Sequence, residues 1–331
     1  MTRHLAIRSA AVLVALSSLL VACGGSSGPL GTLPAPSTSP EPSVVQGSPD
    51  VTPEPSAPAE TPSDEPSTAP GGSAEPSPSP SSGSTETTIV RAYFRLDGLD
   101  GSDGLVAVLR EVPATKGVAS AAVTALLAGP TDAEGARNIT TAVPDGSQLL
   151  GLSIDTAGVA TVDLSGEFES GGGSASVLTR LGQLVYTLTQ FPTVKSVVVQ
   201  IEGETRTVFG SEGVVLDKPA TRADYVDLLP DIWVDRPAWG AAIGNPARVT
   251  GNADVFEATF RIAILDGAGT SLADVQAMAT CGTGCRGTFD VTIPYTVAKA
   301  QYGILRVYNL SAKDGKPESV RDHRVWLTPK G

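Results

Sequence analysis

The stretch Leu149-Leu150-Gly151-Leu152-Ser153-Ile154-Asp155-Thr156-Ala157-Gly158-Val159-Ala160-Thr161-Val162-Asp163-Leu164 decides the fold of the first folded region. Two apolar runs rich in branched side chains flank a short Asp/Thr/Gly segment, which predicts two strands joined by a tight turn. Downstream, Gly171-Gly172-Gly173 breaks the pattern, and Leu178, Leu181, Leu184, Val185 and Leu188 then recur at helical spacing. That periodicity predicts a helix over 175–190 with those residues as its buried stripe.

Upstream, Ile89, Ala92, Phe94 and Leu96 fall in one strand-like run and 105–109 in another, with the Asp/Gly-rich 97–104 as the loop between them. Val118, Ala119, Ala122, Val123, Leu126 and Leu127 read as a helix ended by Gly129-Pro130. A strand at 194–201 turns at Glu202-Gly203-Glu204 into 205–208. The order ββαββαββ predicts an α+β sandwich over 88–218, with both helices covering one face of a sheet.

Beyond a polar link at 220–230 the period becomes two. Phe256, Ala258, Phe260, Ile262 and Ile264 alternate with Glu257, Thr259 and Arg261, and Phe289, Val291, Ile293 and Tyr295 alternate with Asp290, Thr292 and Pro294. Further strands are expected at 232–234, 248–252, 275–280, 305–310 and 320–327, with a turn at Ser311-Ala312-Lys313-Asp314-Gly315. Short strands at regular spacing over 231–331 predict an all-β immunoglobulin-like sandwich.

The 331 residues carry a net charge of −12 and 41% apolar residues, both averages over unlike parts. No Lys or Arg occurs between Arg8 and Arg91, whereas Glu41, Asp50, Glu54, Glu60, Asp64, Glu65, Glu75 and Glu86 lie there. The chain beyond 218 is about balanced, and nothing resembles a basic footprint for nucleic acid. Residues 1–22, with Arg3, His4 and Arg8 before an apolar run, read as a cleaved signal too short to span a bilayer. From 23 to 87 the chain is Pro, Ser, Thr, Gly and Glu, with Glu-Pro-Ser recurring at Glu41, Glu54, Glu65 and Glu75. It cannot bury enough surface to offset chain entropy and is expected to be a disordered stalk, either a spacer or a passive tether.

Leu20-Val21-Ala22-Cys23 followed by Gly24-Gly25 resembles the bacterial lipobox. That resemblance implies cleavage before Cys23 and a lipid on its thiol, and hence a membrane-anchored chain on the extracytoplasmic face.

Histidine is limited to His4 and His323, which removes most metal and histidine-base chemistry. His323, among Arg321, Asp322 and Arg324, reads as a surface histidine. Cys281-Gly282-Thr283-Gly284-Cys285 could be a redox pair, half a zinc site or a disulfide. The disulfide between Cys281 and Cys285 fits the Gly-flanked loop and an exported setting best. Asp163, Glu167 and Glu169 are the best acid cluster for glycan hydrolysis, against the plain reading of a solvated loop before a helix. Trp233 and Trp239 flank Pro237 and read either as packing at the sandwich or domain interface or as a platform for sugar.

Ala125-Leu126-Leu127-Ala128-Gly129-Pro130, Val143-Pro144-Asp145-Gly146, 159–164, Val185-Tyr186-Thr187-Leu188-Thr189 and Phe191-Pro192 form an ordered series. It resembles the GerMN domain of bacterial sporulation and germination lipoproteins. Residues 246–258, Gly287-Thr288-Phe289 and 311–315 are similar to the immunoglobulin-like domain that accompanies it. The resemblance implies a non-catalytic assembly module of the cell envelope, with no cofactor or metal and with an envelope protein or cell-wall glycan as partner. Its rivals are a cell-wall glycan hydrolase built on the acid cluster and a solute-binding lipoprotein.

Overall fold

The computed structural model describes residues 86–98, 102–210 and 213–330. The expected leader, the lipid site Cys23 and the expected stalk up to residue 85 lie outside the described residues.

In the first region β1 (Thr87–Leu96) and β2 (Gly104–Pro113) form an antiparallel pair in continuous register from Thr87 opposite Pro113 to Leu96 opposite Gly104. The helices α1 (Val118–Leu127) and α2 (Asp132–Gly135) follow, and β3 (Ile139–Thr140) adds to the end of β1. The sequence stretch that opened the argument forms β4 (Leu149–Ile154) and β5 (Val159–Leu164), antiparallel across the expected turn. Asp155 closes that turn by accepting from the Ala157 and Val159 amides. After α3 (Ser174–Leu188), β6 (Ser196–Ile201) returns parallel to β5, and the short β7 (Glu204–Thr205), β8 (Val208–Phe209) and β9 (Val214–Val215) finish the region.

The strands divide into separate sheets, β2-β1-β3 and β4-β5-β6-β7, in place of the single sheet expected. Nor is α3 covered on one side only. From Arg180 to Leu188 every residue is buried, while Leu178, assigned to the buried stripe, is 39% exposed. A helix buried all round must meet its neighbours with every side chain, polar ones included. Gln183 and Thr187 do this by completing the open edge of β1: Gln183 Nε2 donates to the Tyr93 carbonyl at 3.0 Å and the Tyr93 amide donates to Thr187 Oγ1 at 3.1 Å. One turn on, Gln190 exchanges two bonds with the Arg91 backbone, at 2.8 and 2.6 Å. The strand edge has no neighbouring strand there, and a row of helix side chains supplies the missing ladder. Gly182 allows the close approach on another face, because a Cβ would collide with the Leu228 side chain.

The second region is a sandwich. One sheet has the order β10-β12-β15, from β10 (Ile232–Arg236), β12 (Ala247–Ala253) and β15 (Gly287–Ile293). The other has the order β11-β17-β16-β13-β14, from β11 (Ala242–Ile243), β13 (Thr259–Leu265), β14 (Ser271–Met278), β16 (Gln301–Leu310) and β17 (Pro317–Leu327). Phe260 of one sheet meets Phe289 of the other at 4.8 Å between ring centres, and Ile262, Ile264, Leu305, Val307, Val325 and Leu327 fill the space between. Burying each such side chain contributes ~1.5–3 kcal/mol.

The strand expected from 256 begins at Thr259. Residues 256–258 form a turn with φ of 54° at Glu257 and 58° at Ala258, and they leave Phe256 64% exposed. The two-residue β11, parallel to β17, carries no period of its own.

The two regions share a core. Trp233, Ala238 and Trp239 belong to the same buried cluster as Phe94, Val106 and Leu184.

Candidate functional site

The seam between the regions is built by three pieces of the sandwich. In β10 the indole Nε1 of Trp233 donates to the Leu105 carbonyl at 3.1 Å, and its ring meets Tyr186 of α3 edge to face at 5.7 Å. The next piece, residues 238–243, stitches two sheets. The Trp239 amide donates to the Ala107 carbonyl of β2 at 2.7 Å, and the Gly240 and Trp326 amides exchange bonds with the Arg324 and Ala241 carbonyls along β17. The edge of β2 is thereby continued by the sandwich, so the aromatic pair Trp233 and Trp239 serves packing, with 4% and 8% exposure.

The third piece is β17, whose inward row runs Arg321, His323, Val325, Leu327. Arg321 is 1% exposed and donates to the carbonyls of Ser102, Gly104 and Leu105 at 2.8–3.0 Å. Burial pushes its pKa down to about 9, opposed by the negative charges of Asp103 and Asp97, so the guanidinium stays charged at neutral pH. His323 is fully buried, against the expectation of a surface residue, and neither ring nitrogen has a hydrogen-bond partner. Its ring lies 6.2 Å from that of Trp239, and burial with the nearby Arg321 charge lowers its pKa to about 3. The strand period explains the correction: counting back by twos from Val325 and Leu327 turns both 323 and 321 inward.

A polar cluster lies beside Trp233. Arg91 pairs with Asp235 at 2.9 Å, the Tyr93 hydroxyl donates to the same carboxylate at 3.3 Å, and Arg222 stacks over Tyr186 at 4.6 Å and over Tyr93 at 5.5 Å. Burial raises the Tyr186 hydroxyl to about 12, and burial with Asp235 raises Tyr93. Replacing Asp235 with Asn is expected to cost ~1 kcal/mol, since a charge-assisted bond becomes a neutral one. Chemical denaturation of the single variant reads that loss.

The residues nominated for chemistry are dispersed among structural tasks. Asp163 accepts from the Gly203 amide at 2.8 Å, and Glu169 pairs with Arg206 at 3.3 Å. Glu167 is exposed, and its carboxyl is held below the usual range by the Ser165 hydroxyl. Cys281 and Cys285 are bonded to each other with Cα atoms 5.8 Å apart, in a loop that leads from β14 into β15. No group of three or more His, Cys, Asp or Glu side chains suited to a metal ion occurs among the described residues.

The main open feature at the seam is a groove of about 250 Å³ between Trp239 and the outward side chains of β16 and β17. Arg137, Tyr302, Asp322 and Arg324 line it together with Gly267 and Gly303. Tyr302 is 48% exposed, Arg324 lies 3.5 Å over its ring, and Trp326 meets it edge to face at 4.7 Å. A smaller apolar cleft of about 170 Å³ lies between α3, β6 and residues 216–220, lined by Leu181, Val185, Val197, Leu216 and Tyr225. Sequence reasoning named Trp239 but missed the groove, because Tyr302, Arg324 and Arg137 come from distant places in the chain.

Comparison with known proteins matches residues 91–207 to the family described as sporulation and spore germination. Residues 231–316 match the immunoglobulin-like domain of bacterial spore germination. Among solved structures, the first GerMN domain of the sporulation protein GerM from Bacillus subtilis is similar at 18% identity and a TM-score of 0.34, over 41% of this chain and 98% of that one. The tandem GerMN domains of the same protein give 14% identity and a TM-score of 0.36, over 63% of this chain and 62% of that one. A lipoprotein from Clostridium perfringens, titled putative, gives 17% identity and a TM-score of 0.31, over 43% of this chain and 93% of that one. The search of curated proteins gave no match. The chain thus joins a domain of the sporulation and spore germination family, at 91–207, to an immunoglobulin-like domain of bacterial spore germination, at 231–316.

Proposed function

We propose that the chain is a non-catalytic, lipid-anchored module of the bacterial cell envelope that presents its two domains as one surface to an envelope protein or to cell-wall glycan. The seam carries this reading: Arg321, Trp233 and the 238–243 stitch fuse the domains through a common core, so a partner meets both in fixed relation. Separate domains in one chain move relative to each other unless the contact between them is large and apolar, and here it is apolar and continuous. The carboxylates nominated for hydrolysis are each engaged apart from one another or exposed, which supports binding over catalysis.

No helix among the described residues is long and apolar enough to cross a membrane, and in this reading attachment falls to Cys23. A thiol-linked lipid with a second acyl chain would hold the chain stably, at ~0.8 kcal/mol per buried CH₂. The test is in-cell crosslinking of the wild type and of Cys23→Ser, followed by fractionation. Wild type is expected in the membrane fraction with one protein or glycan attached, and Cys23→Ser in the soluble fraction. A Cys23→Ser chain that stays with membranes refutes the anchor, and a wild type that captures nothing refutes the module.

A further inference from the structure

The groove at the seam holds two cations without carboxylate partners. Asp322 on its wall is taken by Arg306, through bonds of 2.7 and 2.8 Å. Among the described residues neither Arg324 nor Arg137 has an ion pair. Arg324 lies 3.5 Å over the Tyr302 ring, which fixes the plane of its guanidinium and leaves the N–H edges uncommitted. Arg137 is exposed and spends a single N–H on the Ala133 carbonyl, at 3.3 Å. A concave site with uncompensated charge of one sign draws in anions, and a guanidinium already held in plane meets a carboxylate as a fork.

A second depression, of about 140 Å³, shares Arg137, Trp239 and Asp322 with the groove and adds Asp97 and Asn138. Asp97 pairs with Arg95 at 3.2 Å, yet its buried Oδ1 accepts no hydrogen bond. A buried acceptor left open gains by taking a hydroxyl. Donors for a carboxylate beside an acceptor for a hydroxyl fit one ligand that carries both groups. We infer that the groove and the adjoining depression bind a sugar acid, a carboxylate-bearing sugar unit of an anionic glycan. The inference rests on the module reading above and selects glycan from its two partners. The strand order argues against an extended peptide. In the sheet β11-β17-β16-β13-β14, β16 has a strand on either side, and the β17 edge is covered by the bonds to Gly240 and Ala241. The groove therefore offers no free backbone edge for strand addition, and recognition falls to side chains.

The test is an amide-resolved NMR titration of the full chain carrying Cys23→Ser with sodium glucuronate. Saturable shifts of Gly267, Gly303 and Ile304 are expected, with a dissociation constant on the order of 1 mM for so small a ligand. Glucuronamide, which lacks the charge, should bind ~10-fold more weakly, and so should acetate, which lacks the hydroxyls. Arg137→Gln and Arg324→Gln should each weaken glucuronate ~5-fold or more, and the exposure of Arg137 means that its effect is read in a folded protein. Asp97→Ala should weaken glucuronate ~3-fold and leave acetate unchanged. Absence of saturable shifts, equal affinity for glucuronamide or acetate, or shifts that survive both arginine substitutions overturns the inference. So does tighter binding of a blocked diglutamate peptide than of a glucuronate-containing tetrasaccharide with the same two carboxylates, which would make the occupant a protein. If glucuronate fails while in-cell crosslinking still captures one protein or glycan, this inference falls and the module reading stands.

Discussion

Replacing Arg321 with alanine is expected to destabilise the folded chain by ~3–5 kcal/mol, the range for losing a buried charge held by several hydrogen bonds together with its packing. Arg321 comes from the last strand of the sandwich, yet its partners are backbone carbonyls in the β1–β2 connection and at the start of β2, more than two hundred residues earlier. Each bond from a charged donor contributes ~1.5–3 kcal/mol, partly offset by the cost of taking the cation out of water. Lysine should recover less than half of the loss, since a compact ammonium cannot span three carbonyls as a planar fork does. With about 240 described residues a loss of this size lowers the melting temperature by ~10 °C. Calorimetry also separates two views of the seam. A shared core predicts one transition in both wild type and variant. Two transitions in the wild type, or a loss below ~1 kcal/mol in the variant, would mean that the domains are merely adjacent.

What could be read from the residues, and what could not, follows the range of the interactions. The β4–β5 hairpin was legible because its turn is closed by Asp155 four residues away, and the sandwich strands because a period of two is local. His323 was misread because its side chain is polar, although the period placed it, with Arg321, on the same inward row as Val325. The all-round burial of the 180–188 part of α3 left a trace in the sequence, since 174–188 holds a single charge, Arg180, and that guanidinium is itself buried against the carbonyls of Phe168, Ser170 and Gly171. Nothing local announces that Gln183 and Thr187 finish a strand ninety residues earlier. The groove was illegible for the same reason, being assembled from α2's trailing residue Arg137, the stitch and the outer faces of two strands. The acid cluster is the converse case: closeness in sequence suggested a site, whereas in the fold Asp163 and Glu169 have separate partners and Glu167 is exposed.

Lowering the pH from 7 to 5 is expected to cost ~2 kcal/mol of stability through His323 alone. The folded-state pKa is about 3 and the unfolded value is 6.5, so between those limits the unfolded chain binds the extra proton and stability falls as pH falls. The surroundings fix the direction. Arg321, two residues along the strand, repels a second positive charge, Leu305 stands opposite in register on β16, and the Trp239 ring closes the remaining approach. The carboxylates whose pKa values are lowered on folding act elsewhere on the scale. Asp224, drawn down to about 2 by Lys218 and Thr221, loses its contribution only as pH falls from its ordinary value of 3.8 towards 2. The window from 7 to 5 therefore isolates the imidazole. His323→Phe should flatten the pH dependence in that window and leave stability at pH 7 unchanged or higher, because both ring nitrogens are buried without partners and phenylalanine removes that desolvation cost. Urea titrations of wild type and variant at pH 7, 6 and 5 measure both slopes. A variant that loses the same ~2 kcal/mol as the wild type would show that the proton is taken up by another group and that the seam opens to water around His323.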